Sequence, residues 1–84
     1  MNIKIQNITR SLLEIKLDKK ILTFEGEMFF HKNILGFVLY TSTRKFSHPY
    51  KKEDITPSTL KLILDEVKNE FQQKNRILEI VDDG

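Results

Sequence analysis

Ile55-Thr56-Pro57-Ser58-Thr59-Leu60-Lys61-Leu62-Ile63-Leu64-Asp65-Glu66-Val67-Lys68-Asn69-Glu70-Phe71-Gln72-Gln73-Lys74-Asn75 decides the fold. Leu60, Ile63, Leu64, Val67 and Phe71 recur at helical spacing and form one apolar stripe. Asp65, Glu66, Lys68 and Glu70 fall on the wet side of that wheel. Thr56 is placed to cap the first turn, and Pro57 follows where its missing N–H costs nothing. Ile55 and Leu60 have the spacing of a hydrophobic staple, whereas Thr59 stands where a full capping box has Glu. Glu70 and Lys74 make an i,i+4 pair in the favourable orientation. Asn75 suits the C-terminal cap. The stretch predicts one amphipathic helix over about Thr56 to Lys74, and its stripe needs a partner surface.

Working outward, Ile77 to Val81 reads as a largely apolar closing strand. Upstream, Ile3 and Ile5 alternate with Asn2, Lys4 and Gln6, and Leu13, Ile15 and Leu17 alternate with Glu14 and Lys16. Period two with a polar opposite side is the pattern of a half-buried strand. Asp18-Lys19-Lys20 is a hairpin break. Leu22 and Phe24 open a further strand through Gly26 to Phe30, with Gly26 marking a bulge or a close backbone approach. His31-Lys32-Asn33 closes a second hairpin. Leu35, Phe37 and Leu39 then alternate with Gly36, Val38 and Tyr40. Both sides of that strand are apolar, so a central place with at least partial cover on both faces is expected. Thr41 to Asp54 is polar, basic and aromatic, is broken by Pro49, and reads as a long connecting loop. The expected architecture is α+β: a mostly antiparallel four- to five-stranded sheet packed on one helix, in the order β-β-β-β-α-β.

The 84 residues match one domain, 1–84, near the small end of what folds without staples. With no cysteine, neither disulfide nor thiolate chemistry is at hand, and stability rests on a core drawn from a 39% hydrophobic composition. No stretch approaches a membrane span, and the first ten residues lack the apolar run of a signal peptide. The expected compartment is therefore cytoplasmic. The net charge of +2 is small, but it is unevenly spread. Met28 to Lys52 holds no acid, while Asp65, Glu66, Glu70, Glu79, Asp82 and Asp83 follow.

The candidate chemistry is sparse. His31 and His48 sit in different loops, with no second ligand at metal spacing, so no metal or cofactor is expected. Glu25 and Glu27 flank Gly26 on one strand face. A carboxylate pair is the apparatus of acid–base hydrolysis, but two exposed glutamates on a strand are ordinary surface, and no enzyme activity is expected. The richest segment is Arg44-Lys45-Phe46-Ser47-His48-Pro49-Tyr50-Lys51-Lys52. Cations among aromatics serve single-stranded nucleic acid, where bases stack and phosphates pair. They equally serve a protein interface, where Tyr and Arg are favoured anchors. The bland alternative is that Phe46 tethers the loop and the lysines are solvated.

One ordered pattern narrows this. Phe24-Glu25-Gly26-Glu27, then Gly36-Phe37-Val38-Leu39-Tyr40, then an aromatic and Pro49, then Ile55-Thr56 opening the helix, resembles the bacterial family immunity protein seventy-four. The resemblance runs from about Leu22 to Asp82, and departs from the family where Phe46 replaces the usual Trp. It implies a compact α+β domain that neutralises a toxin from a competing bacterium by binding it. The expected partner surface is Arg44, Lys45, His48, Tyr50, Lys51 and Lys52, with nucleic-acid binding by the same loop as the alternative.

Overall fold

The computed structural model describes residues 2–47, 49–50 and 54–83. Its elements are β1 (Ile3–Ile8), β2 (Leu12–Leu17), β3 (Lys20–His31), β4 (Ile34–Tyr40), a 3-10 turn (Thr41–Thr43), β5 (Lys45–Phe46), α1 (Pro57–Gln73) and β6 (Ile77–Val81). The expected α+β class and element order hold. One element is additional: β5 lies inside the segment read as loop. Two residues are too few to show any alternation, so no local pattern could announce it.

The sheet runs β1-β2-β3-β4-β6, with β5 beside β3 off that path. The first four strands are antiparallel neighbours, and β6 lies parallel to β4 after the crossover through α1. Two tight turns set the register. Leu17 faces Lys20 around Asp18-Lys19, and His31 faces Ile34 around Lys32-Asn33. Asp18 has φ 54°, and Lys32 and Asn33 have φ 50° and 67°. Positive φ at both central residues gives the second turn the twist that antiparallel strands need.

β3 belongs to three ladders. Lys20–Glu25 pair with β2, and Gly26–His31 pair with β4. β5 resumes the β4 side of β3, with Leu22 facing Phe46. Between them the 3-10 turn bulges away. The Thr43 hydroxyl fills the gap, accepting from the Glu25 N–H at 2.8 Å and donating to the Tyr40 carbonyl at 2.6 Å. A side chain thereby satisfies backbone groups that the ladder leaves over. At Gly26 the approach is close, as the sequence suggested. A side chain there would overlap the Val38 carbonyl oxygen.

The core fills the space between α1 and one face of the sheet. Leu13, Ile15, Leu22, Phe24, Phe37 and Leu39 meet Ile63, Val67 and Phe71, all fully or almost fully buried. At about 1.5–3 kcal/mol for each large apolar side chain removed from water, this contact dominates stability. The helix ends follow the sequence. Thr56 Oγ1 accepts from the Thr59 N–H, and Lys74 is the last cap. Asn75, one residue beyond it, has φ 55°. The Arg76 N–H donates to the Phe71 carbonyl and the Asn75 N–H to the Gln72 carbonyl, which is a Schellman closure. Glu70 departs from its expected role. Its Oε2 accepts the Ile5 N–H at 2.8 Å, binding the helix to the edge strand β1. An unpaired edge N–H is a stronger draw for a half-buried carboxylate than an exposed ammonium one turn away.

Candidate functional site

The basic–aromatic loop begins where β4 ends. Thr41 is buried and donates through Oγ1 to Asp82 Oδ1 at 3.0 Å. The Ser42 N–H donates to Asp83 Oδ1 at 2.8 Å. The two acids after β6 thus clamp the 3-10 turn. The Ser42 N–H holds the exposed Asp83 carboxyl below its ordinary value of 3.8.

The structure distributes the expected site residues over three surfaces. Arg44 is half-buried, and its guanidinium donates to the Thr41 carbonyl at 2.9 Å. It borders a groove of about 830 Å³ between the N-terminal half of α1 and β6. Leu60, Leu64 and Ile80 line that groove, with Lys61, Asp65 and Lys68 at its edge. Tyr50 is half-buried against the core, and its N–H donates to the Ser47 carbonyl at 2.9 Å. It borders a second groove of about 480 Å³, between the β2–β3 turn and the start of α1. The Lys20 ammonium stands 4.8 Å from the Tyr50 ring centroid and 5.5 Å from that of Phe46. That cation–π contact takes up part of the ring surface that a stacked base would need. Lys45 is exposed on β5, facing away from α1. His48, Lys51 and Lys52 lie outside the described residues. Asp54 and Ile55 border both grooves, so the start of the helix joins the Arg44 and Tyr50 surfaces.

A further surface escapes any segment-by-segment reading. Alternation turns Ile34, Gly36, Val38 and Tyr40 away from α1, opposite Leu35, Phe37 and Leu39. The Phe29 ring lies across Gly36, its cross-strand partner, where a side chain on Gly36 would overlap it. Val38 and Tyr40 are half-buried. The same face carries Glu25 and Glu27 on β3 and Glu79 on β6, all exposed. Glu27, Val38 and Glu79 share one cross-strand row. Two signals were visible in sequence, the apolar outer side of β4 and the shared face of Glu25 and Glu27. Joining them needs the strand order, which no local pattern contains.

Among the described residues no three His, Asp or Glu side chains gather to hold a metal. Among the described residues no helix is long and apolar enough to cross a membrane. No curated protein and no solved structure matches the chain. The profile of a family described as Immunity protein 74 matches residues 4–81. The match takes in β1 and β2, beyond the part from Leu22 on which the resemblance rested. With nearly its whole length covered and the α+β order in agreement, the chain belongs to the Immunity protein 74 family.

Proposed function

We propose that this protein neutralises a toxin by binding it, without chemistry of its own. Membership of an immunity-protein family over residues 4–81 carries this reading. The partner is a protein toxin from a competing bacterium, met in the cytoplasm. The Arg44–Lys52 loop forms part of the contact, with Arg44 and Tyr50 as anchors. Their grooves meet at Asp54 and Ile55, and the Arg44 and Tyr50 N–H groups donate to the Thr41 and Ser47 carbonyls, so these two side chains are offered to a partner from held backbone. Ordered anchors lose little freedom on binding, which favours affinity.

The test is co-expression with the products of neighbouring genes. A stable complex is expected with one that encodes a toxin-like domain, together with restored growth of cells expressing that domain. Arg44→Ala with Tyr50→Ala is expected to weaken the complex by a factor of about ten or more, the scale of a true anchor. If no neighbour encodes such a domain and none binds, the proposal fails. If a complex forms but ignores both substitutions, the loop assignment fails alone.

A further inference from the structure

β4 is the middle of three strands, β3, β4 and β6, and only one of its faces meets the helix. A sheet face left to water normally alternates toward polar residues. The outward row of β4, Ile34, Gly36, Val38 and Tyr40, has no charged residue at all. Phe29 from β3 and Ile77 from β6 extend this apolar strip on either side, in one row with Gly36. Carboxylates flank the strip. Strand geometry separates Glu25 from Glu27 by about 7 Å along β3, and puts Glu27 and Glu79 about 10 Å apart across β4. Like charges so close repel one another unless an opposite charge sits between them. Lys45 on β5, opposite Thr23, brings one cation to the Glu25 end of this face, while Glu27 and Glu79 lie farther along the strands from it. In a chain that carries +2 overall, three carboxylates against one cation leave this face acidic.

We infer that the helix-free face of β3, β4 and β6 is a docking surface for a basic protein surface, Lys or Arg residues surrounding an apolar centre. Val38, Tyr40 and Phe29 receive the apolar centre, and Glu25, Glu27 and Glu79 receive the cations. The charge selects the class of occupant: phosphate-bearing partners are repelled here, while a cationic protein is steered in. This assignment rests on the toxin-binding reading and gives that partner its chemistry. It adds a second face to the one bordered by Arg44 and Tyr50.

Two measurements test it. In the first, the uniformly labelled protein is titrated with decalysine at low salt, with decaglutamate as control, and amide shifts are followed. Shifts are expected along Glu25–Phe29, Val38–Tyr40 and Glu79–Val81 with decalysine alone. Replacing Glu25, Glu27 and Glu79 together by Gln should weaken binding about tenfold, while Asp65→Asn with Glu66→Gln on the helix should change it less than about twofold. Shifts confined to the helix or to Asp82–Asp83, or a triple variant that binds like the parent, overturn the inference. In the second, a complex with a neighbouring-gene toxin is challenged with Glu25→Lys, Glu27→Lys and Glu79→Lys together. Loss of the complex supports the inference. A complex that forms and tolerates all three refutes this surface and leaves the toxin reading standing. Decalysine binding at this face with no toxin partner refutes the toxin reading and leaves the basic-partner surface standing.

Discussion

Gly26→Ala offers the sharpest trial of the packing described above. The new methyl group would overlap the Val38 carbonyl oxygen and stand 2.7 Å from the Phe37 ring and 2.9 Å from the Val38 carbonyl carbon. Two of these three obstacles are backbone of β4, which cannot rotate aside. Phe37 is fully buried and has nowhere to go. Overpacking alone costs about 1–3 kcal/mol. Relief requires β4 to move off β3, weakening about two ladder bonds at roughly 1 kcal/mol each. The expected loss is about 3–5 kcal/mol, which lowers the melting temperature of a domain this size by at least about 12 °C. Gly36→Ala is the internal control. Its nearest obstacles are all atoms at the far end of the half-buried Phe29 ring, a side chain that can swing away, at about 1 kcal/mol. Thermal and urea unfolding of the two variants, followed by circular dichroism, make the comparison. If Gly26→Ala loses under about 1 kcal/mol, or no more than Gly36→Ala, the account of the β3–β4 crossing is wrong.

Three further outcomes are expected. Thr43→Val removes the hydroxyl that serves Glu25 N–H and the Tyr40 carbonyl, and should cost about 1–3 kcal/mol in urea unfolding, with faster amide exchange at Glu25. Glu70→Leu leaves the Ile5 N–H unpaired and should cost about 1–3 kcal/mol, whereas Glu70→Gln, which keeps an acceptor oxygen, should cost less. Asp83 titrates below its ordinary 3.8 in the folded chain, so its contribution to stability is fully present above that pH. It is lost as pH falls through the lowered folded value. The stability difference between the parent and Asp83→Asn should therefore shrink below about pH 4 in denaturant titrations, and a difference that holds constant through that window would exclude the Ser42 contact as its cause.

The helix was readable to within a residue or two because every signal for it is local. Thr56, Pro57 and Asn75 act on neighbours within one turn, and the stripe from Leu60 to Phe71 lies within four. Strands β1 to β4 were readable for the same reason, since alternation and two-residue turns are short-range. What sequence did not disclose lies at long range. β5 exists only because Leu22 and Thr23 wait beside it. Glu70 meets Ile5 across 65 positions, against a local competitor that the sequence does display. The candidate surfaces follow the same rule. The Arg44–Lys52 segment is conspicuous as a string of letters, yet folding assigns Arg44, Lys45 and Tyr50 to different sides. The acids Glu27 and Glu79 are 52 positions apart in the chain and are joined through Val38 only by the strand order (79 − 27 = 52).

That strand order also sets a timetable. β1 to β4 can zip as successive hairpins while the nascent chain emerges, because each turn closes a short loop. β6 cannot join until the whole helix has been made, since its partner β4 lies on the far side of the crossover. Until then β4 is an outer strand with apolar side chains on both faces, open to pairing with a second unfinished chain. The arrival of β6 is thus the step that hides this edge and, through Asp82 and Asp83, fixes the turn that leads into the basic loop. Truncation before Ile77 should yield a product that aggregates rather than a smaller folded protein. Light scattering of the truncated chain after release from denaturant would record it.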